Sequence, residues 1–160
     1  STVNGATLAN ASDVLTALQV AVGTMEEDGV DLSTAALFIT PTLHGYINAA
    51  DTTTSREIMA KFGLGVIDVP QTRFYTAINL ATGNNSADGG FVKNSSTGKD
   101  INFMIIDRQA IVQTTKHQVP KIVTPEANQD GDNWKFGLRI YGIAEALDNH
   151  VDGIYLHKKA

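Results

Sequence analysis

The four histidines are the residues of this chain best suited to acid–base or metal chemistry. They are His44, His117, His150 and His157. No two of them are three or four residues apart, which is the spacing that places two metal ligands on one face of a helix. Lys116 and His117 are adjacent and could form an acid–base couple, but no carboxylate lies near them in sequence. We therefore expect no catalytic, cofactor-binding or metal-binding residues.

Two further segments match ligand-binding motifs only in part. The polar turn over 128–133 has its glycine at the fourth position, whereas a calcium-binding loop needs one at the sixth. Arg139 also stands where that loop requires a bidentate Glu. Gly63 and Gly65 lack the third glycine of a dinucleotide-binding fingerprint, because Asp68 occupies its place. Neither segment predicts a calcium or nucleotide site.

The composition excludes several classes of protein. The formal net charge is -5, whereas a protein that grips phosphate backbones needs clustered Lys and Arg. The chain has no cysteine, which excludes disulfides and thiolate zinc sites and makes a reducing cytoplasm the default expectation. The longest apolar run, 35–39, is far shorter than the roughly 20 residues of a membrane span, so we expect no membrane association.

Three segments carry the apolar spacing or the start signals of helices. Over residues 12–27 the apolar positions recur at intervals of one, three and four, which places them on one face of a helix. These positions are Val14, Leu15, Leu18, Val22 and Met25. A second helix is predicted over 41–50, because the fixed φ of Pro41 suits a first turn. A shorter helical turn is predicted over 55–62.

Short apolar runs between turn residues predict the strands. Over 134–144, large apolar residues alternate with other residues, and this period of two predicts a long strand with one buried face. The apolar positions are Trp134, Phe136, Leu138 and Ile140. Arg139 and Tyr141 then share the opposite face. Further strands or extended segments are predicted over 35–40, 64–69, 101–107, 110–115, 119–125 and 153–157.

Connections complete the predicted architecture. Only two residues separate 101–107 from 110–115, which predicts a hairpin or a sharply bent pair. Residues 81–100 are rich in Gly, Asn and Ser and poor in large apolar side chains, which predicts an exposed and mobile loop. Helices early and antiparallel strands late indicate an α+β fold.

The order of these elements resembles that of HK97-type major capsid proteins of tailed bacteriophages and prophages. The resemblance covers residue 12 to the end of the chain. It rests on the first helix with Met25 to Val30, Leu37 to Pro41, Ile105 to Val112, Lys116 to Ile122, Trp134 to Gly142 and Gly153 to His157. Coat proteins of this kind usually begin with an extended arm and a long β-hairpin. Because only eleven residues precede the first predicted helix, we expect an N-terminal truncation.

The resemblance implies an HK97-like α+β coat fold with two lobes. Residues 1–34 would begin a peripheral lobe that contains a spine helix over about 12–27. Residues 35–133 would form a mixed axial lobe with the exposed loop 81–100. Residues 134–160 would return through the long strand of the peripheral lobe, as half of a long antiparallel strand pair, and end in a final strand.

The implied function is structural. Such a subunit self-assembles through pentamers and hexamers into an icosahedral shell that encloses double-stranded DNA without sequence-specific binding. The expected partners are other copies of the chain and scaffold, protease or portal proteins. The protein would be made in the bacterial host cytoplasm and reside in the virion capsid. It would not be an enzyme.

Six residues are candidates for contacts between subunits. Arg and Tyr are favoured at protein interfaces, and an extended basic segment is typical of an interface or a solvent-facing edge. Two asparagines are added because the resemblance places the 81–100 loop near the symmetry axes. The six are Lys116, His117, Arg139, Tyr141, Asn84 and Asn94.

Two alternative functions remain open. A surface fibre or adhesion module would account for the Thr, Asn and Gly content and predicts an all-β sandwich. A small hydrolase would require His117 or His44 to meet Asp or Glu in a cleft.

Overall fold

The computed structural model describes residues 1–5, 7–83 and 90–160. The chain forms two compact units. We call the first, which comprises Ser1–Ala110 and Asp148–Ala160, the core unit, and the second, Ile111–Leu147, the ribbon.

The boundaries of these units differ from the predicted bounds at 34 and 133. The first predicted boundary falls inside the core unit, because the residues on both sides of it pack into one hydrophobic core. The second falls inside the ribbon, because strand pairing joins the segments before and after it. Long-range pairing, which local sequence does not reveal, therefore decides the division of the chain.

The helices of the core unit lie where the sequence predicts them. They are α1 (Ala11–Glu27), α2 (Pro41–Ala50) and α3 (Thr53–Ala60). The Asn10 side chain caps α1 by accepting a hydrogen bond from Asp13 N at 3.0 Å.

At the other end of α1, Gly29 has a φ of 80° and lets the chain leave the helix. Val30 N then donates to Met25 O at 2.9 Å, which satisfies one of the last carbonyls. The helix therefore ends at Asp28 and Gly29.

The described residues contain nine strands. They are β1 (Thr2–Gly5), β2 (Ala35–Ile39), β3 (Val66–Asp68), β4 (Ile78–Ala81), β5 (Gly90–Lys93), β6 (Ile101–Asp107), β7 (Ile111–Val123), β8 (Lys135–Ala146) and β9 (Ile154–Lys159). Five of them form a mixed sheet in the order β1-β9-β6-β2-β3. β2 and β9 run antiparallel to β6, whereas β1 and β3 are parallel to their neighbours.

The hydrophobic core lies between this sheet and the helices. Val14, Leu18 and Met25 of α1 share one buried cluster with Leu37 of β2 and Phe103 of β6. The predicted apolar face of α1 is therefore the face that packs inward, except that Leu15 is only partly buried. The mixed α and β content agrees with the predicted class.

The predicted loop 81–100 contains a short strand. β4 and β5 pair antiparallel in a separate two-stranded sheet, with Leu80 opposite Phe91. The prediction missed β5 because only Phe91 and Val92 carry strand character there, and both are exposed. Asn84, one of the predicted interface residues, lies outside the described residues.

The predicted pairing of 101–107 with 110–115 is wrong. β6 pairs with β2 and β9, and the chain turns through a 3-10 helix at Arg108–Ala110 before it enters β7. β7 instead pairs with β8 in its own two-stranded sheet. This three-residue connection is therefore followed by a change of sheet, since the partners of β6 are supplied by distant segments.

Candidate interaction surface: the two faces of the ribbon

The ribbon is a long antiparallel pair of strands. β7 and β8 pair from Ile111 opposite Ala146 to Val123 opposite Lys135, so the pairing extends over almost the whole of both strands. The register shifts once, between Thr115 and His117, where Lys116 is the extra residue. Such a bulge bends and twists a strand locally.

One face of the ribbon is apolar in the half next to the segment that connects β7 and β8. Because directly opposite residues share a face, the register places Pro120 beside Leu138 and Ile122 beside Phe136. The rings of Trp134 and Phe136 stack with centroids 6.3 Å apart, which extends the same face. We call Pro120, Ile122, Trp134, Phe136, Leu138 and Ile140 the apolar face.

This apolar face is exposed, and the prediction that it is buried is wrong. Phe136 is 76% exposed, and the other large residues of the face are also exposed. β8 pairs with β7 and not with any strand of the five-stranded sheet. Alternation shows which side chains share a face, but it does not show whether the chain supplies a cover for them.

The opposite face of the ribbon is basic. Its members include Lys121, Lys135 and Arg139, which alternate along the strands with the apolar positions. The ribbon as a whole is neutral, with four Lys or Arg and four Asp or Glu. The acidic residues lie at 126, 130, 132 and 145, away from the middle of the strands. One of them, Asp130, pairs with Lys135.

Four of the six predicted interface residues lie together in the middle of the ribbon. His117 is directly opposite Tyr141, with ring centroids 6.2 Å apart, and Lys116 adjoins them at the bulge. Arg139 is two positions from Tyr141 on the same face of β8. A pocket of about 530 Å³ opens between Lys116, His117 and Tyr141. The register confirms the prediction that Arg139 and Tyr141 lie on the face opposite to that of Phe136.

Asn94 lies in the core unit and has a local structural role. Its Oδ1 accepts hydrogen bonds from Ser96 N and Thr97 N, both at 2.9 Å, and its Nδ2 donates to Asn79 Oδ1 at 3.0 Å. These bonds fix the turn after β5. Asn94 is therefore not part of the ribbon cluster, and its role at an interface stays a prediction.

The contribution of β7 to the apolar face is not evident from the sequence. Both alternating sets of side chains in this strand contain apolar residues. One set is Gln118, Pro120 and Ile122, and the other is Val119, Lys121 and Val123. Only the pairing with β8 shows which of the two sets lies on the same face as Phe136 and Leu138. The clear alternation in β8 could have identified the face once the register was known.

Two histidines of the core unit have polar partners. His44 Nδ1 lies 2.8 Å from Asp68 Oδ1 on the surface. His157 is buried, lies 3.0 Å from Asn102 Nδ2 through its Nδ1, and stacks on Phe103. Burial lowers the pKa of His157 below its ordinary value.

The His44–Asp68 pair has one feature that a hydrolase requires, a His–carboxylate contact. Within the described part of the chain, no hydroxyl is hydrogen-bonded to the other ring nitrogen of His44, so the pair does not form a triad. The described residues also contain no group of three or more His, Asp or Glu arranged to hold a metal ion. Among them, no helix combines the length and apolar character needed to cross a membrane.

Comparisons with known proteins give a structural match. No family model and no curated protein matches the chain. Among solved structures, a chain of Mycobacterium phage Che8 has a similar fold, with a TM-score of 0.57 and 11% sequence identity. The match covers 98% of the present chain and 52% of the phage chain, so the present chain spans about half the length of that protein. At this identity the match shows a shared fold: the chain is built like part of a bacteriophage protein.

Proposed function

We propose that the chain is a structural subunit of an icosahedral phage head, an HK97-like coat protein that acts by binding to copies of itself. The observation that carries this proposal is the exposed apolar face of the ribbon in a fold shared with a phage protein chain. The predicted peripheral and axial lobes, with α1 as a spine helix, belong to the same proposal.

The energetics of the ribbon favour association. An isolated two-stranded sheet is at best marginally stable in water, and three strands or a packed face are needed for stability. Each large apolar side chain contributes about 1.5–3 kcal/mol when it is fully buried. Covering Phe136, Leu138 and Ile140 with another chain would therefore stabilise both the ribbon and the contact.

The two faces suit different neighbours. Exposed apolar patches mark sites of protein binding, whereas Lys121 and Arg139 on the other face can pair with carboxylates at the rim of a contact. The core unit has a negative formal charge, since the ribbon is neutral and the whole chain carries -5. A second copy of the chain thus offers complementary charge.

The remaining parts of the proposal follow from the proposed assembly. The shell would enclose double-stranded DNA without recognising its sequence, because a container gains little from binding its contents tightly. Scaffold, protease or portal proteins would assist assembly in the bacterial host cytoplasm, and the final location would be the virion capsid. We propose no catalytic activity and no cofactor.

Light scattering combined with negative-stain microscopy of the intact protein tests the proposal. We expect rings or shells for the wild type and smaller species for Ile140→Ser, because the substitution removes an exposed aliphatic side chain from the apolar face. Val20→Ser is the matched control: Val20 is 57% exposed on α1, and Ile140 is 55% exposed. The control should assemble like the wild type.

Two results would contradict the proposal. One is a wild-type protein that stays monomeric at every concentration. The other is an Ile140→Ser variant that assembles as the wild type does, which would show that the apolar face takes no part. The alternative of an adhesion module predicts an all-β sandwich, and three α-helices packed on a mixed sheet do not fit that architecture.

A further inference from the structure

A notch interrupts the basic face of the ribbon. Gly137 lies directly opposite Lys121, and the next opposed pair on that face is Val119 with Arg139. Lys121, Gly137 and Arg139 line an open cavity of about 390 Å³, and we call these three residues the notch. A Cβ at Gly137 would meet the Lys121 side chain only at 3.8 Å, which is an ordinary contact. Packing within the ribbon therefore does not require glycine here, but the absence of a side chain keeps the cavity open.

The two cations of the notch lack an acidic partner within the described residues. No ion pair found there includes Lys121 or Arg139, and both side chains are exposed. Lys135, on the same face, is already paired with Asp130. Lys121 and Arg139 are diagonal neighbours across the two strands, a position that separates residues by about 7–8 Å. The notch therefore offers two positive charges at a spacing that two neighbouring carboxylates can span.

The C-terminal end of α1 carries the complementary charges. Glu26, Glu27 and Asp28 are exposed, and no other acidic residues of the chain are adjacent in sequence. They lie at the negative end of the helix dipole, where cations are favoured, and the last turn contains no basic residue. Lys61 pairs with Glu26, but within the described part of the chain Glu27 and Asp28 form no ion pair. A cationic partner would therefore relieve repulsion at this end of the helix.

Other acidic residues fit the notch less well. Four of them already have a basic partner within the chain, and these are Asp51, Asp68, Asp100 and Asp130. Asp107 is buried and accepts a hydrogen bond from Thr34 Oγ1 at 2.7 Å. An isolated carboxylate such as that of Glu57 would meet only one of the two cations. The pattern of charge therefore favours the end of α1, residues 26–28, over the rest of the chain.

We propose that the notch of one copy binds residues 26–28 at the end of α1 in a second copy. This inference rests on the proposed self-association and names the surfaces that would meet. Each exposed ion pair adds little by itself, but complementary charge fixes the register and orientation of a contact. Because the two surfaces differ, the contact is head-to-tail, and repeated head-to-tail contacts close into rings when the rotation fits. Pentamers and hexamers require a contact of this kind.

A charge exchange between two variants tests this contact. Arg139→Glu and Glu27→Lys should each weaken self-association of the 160-residue chain about tenfold, because each replaces an attraction with a repulsion. An equimolar mixture of the two variants should associate like the wild type, since the reversed notch of one then meets the reversed helix end of the other. Sedimentation velocity at low ionic strength measures all three samples, and high salt should weaken association of the wild type. A variant that failed to fold would not be rescued by mixing.

Arg73→Glu and Glu57→Lys are the matched controls. Both residues are exposed in the core unit and form no ion pair among the described residues. The controls change the net charge by the same amounts as the test variants and should associate within about twofold of the wild type. Gly137→Val fills the notch without changing any charge, and it should weaken association about fivefold, which corresponds to the loss of one exposed ion pair.

Several results would overturn the proposal. They are wild-type association of any of the three test variants, a mixture that does not associate, and equal losses in the controls. Loss of binding to double-stranded DNA in Arg139→Glu, with unchanged self-association, would assign the basic face to nucleic acid instead. Shells that form equally well with both charge reversals would remove this contact and leave the head assembly, whereas salt-sensitive rings that never form shells would leave the contact and remove the head assembly.

Discussion

Phe103 and Phe136 are the same residue type in antiparallel strands, but their surroundings differ completely. Phe103 in β6 is 0% exposed and stacks with Tyr155 and His157 in the core unit, whereas Phe136 in β8 is 76% exposed on the ribbon. β6 has strands on both sides and helices packed above the core, whereas among the described residues β8 pairs with one strand. A strand with apolar residues is therefore buried only where other elements cover it.

The comparison separates two uses of apolar surface. In the hydrophobic core between the helices and the five-stranded sheet, the apolar residues are buried within the chain, so they act on folding stability. In the ribbon the same kind of surface is left uncovered, so its residues are free to act on association. The same type of substitution should therefore change the free energy of unfolding in the hydrophobic core and the strength of association in the ribbon.

The largest expected effect is that of Phe103→Ala compared with Phe136→Ala. Phe103→Ala should lower the free energy of unfolding by about 3–5 kcal/mol, because it leaves a cavity in a packed core. Phe136→Ala should change that free energy by less than about 0.5 kcal/mol in the unassociated chain. Denaturant titrations at low protein concentration measure both. Similar losses for the two variants would show that the ribbon face is covered within the chain.

A smaller effect is expected from two glycine substitutions in the core unit. Gly63→Ala should destabilise the chain by about 1–3 kcal/mol, since a Cβ there would overlap the Ser33 carbonyl oxygen. Gly23→Ala is the control, because a Cβ at Gly23 meets nothing within 4 Å, and it should stabilise α1 by up to about 1 kcal/mol. Thermal unfolding distinguishes them, and equal melting temperatures would contradict the tight packing at Gly63.

The pH dependence of stability should report the burial of His157. Burial lowers its pKa below the ordinary 6.5, so the unfolded chain binds more protons as the pH falls through that value. Stability is therefore full above about pH 6.5 and declines below it, towards the folded-state pKa. We expect His157→Gln to have a flatter profile of melting temperature between pH 7.5 and 5.5.

The matched control for this experiment is His150→Gln, since His150 is exposed. That variant should keep the wild-type pH dependence. A wild-type slope in His157→Gln would indicate that other groups carry the effect.

The smallest effect is expected for a surface ion pair of the core unit. Lys61 Nζ lies 2.5 Å from Glu26 Oε1, but both side chains are partly exposed. Lys61→Met should therefore change the free energy of unfolding by only about 0.2–1 kcal/mol. Urea titrations at low and high salt measure the change, and a loss of several kcal/mol would show that surface charge, and not burial, dominates the stability of this unit.

Much of the local structure could be predicted from the sequence. Helix spacing located α1 to within one residue, and Pro41 marked the first residue of α2. Alternation in β8 also identified which side chains share a face. Each of these features depends on residues that are close in sequence, where steric and hydrogen-bonding preferences act directly.

The pairing of strands and the pocket at the start of α2 could not be predicted in the same way. β6 lies between β2 and β9, which are separated from it by long stretches of chain, and nothing local specifies that order. The pocket unites Leu8, Thr40 and Lys159, whose chemistry is unremarkable until they are neighbours. The interface role of Lys116, His117, Arg139 and Tyr141 stays a prediction.

The sequence by itself determined where the three α-helices lie and which side chains of β8 share its apolar face. The tertiary structure alone decided that the apolar side of β6 is buried and that of β8 is exposed. The physical reason is that backbone preference is a property of one segment, whereas burial requires two surfaces to meet. The sequence of one segment contains no information about the surface that covers it.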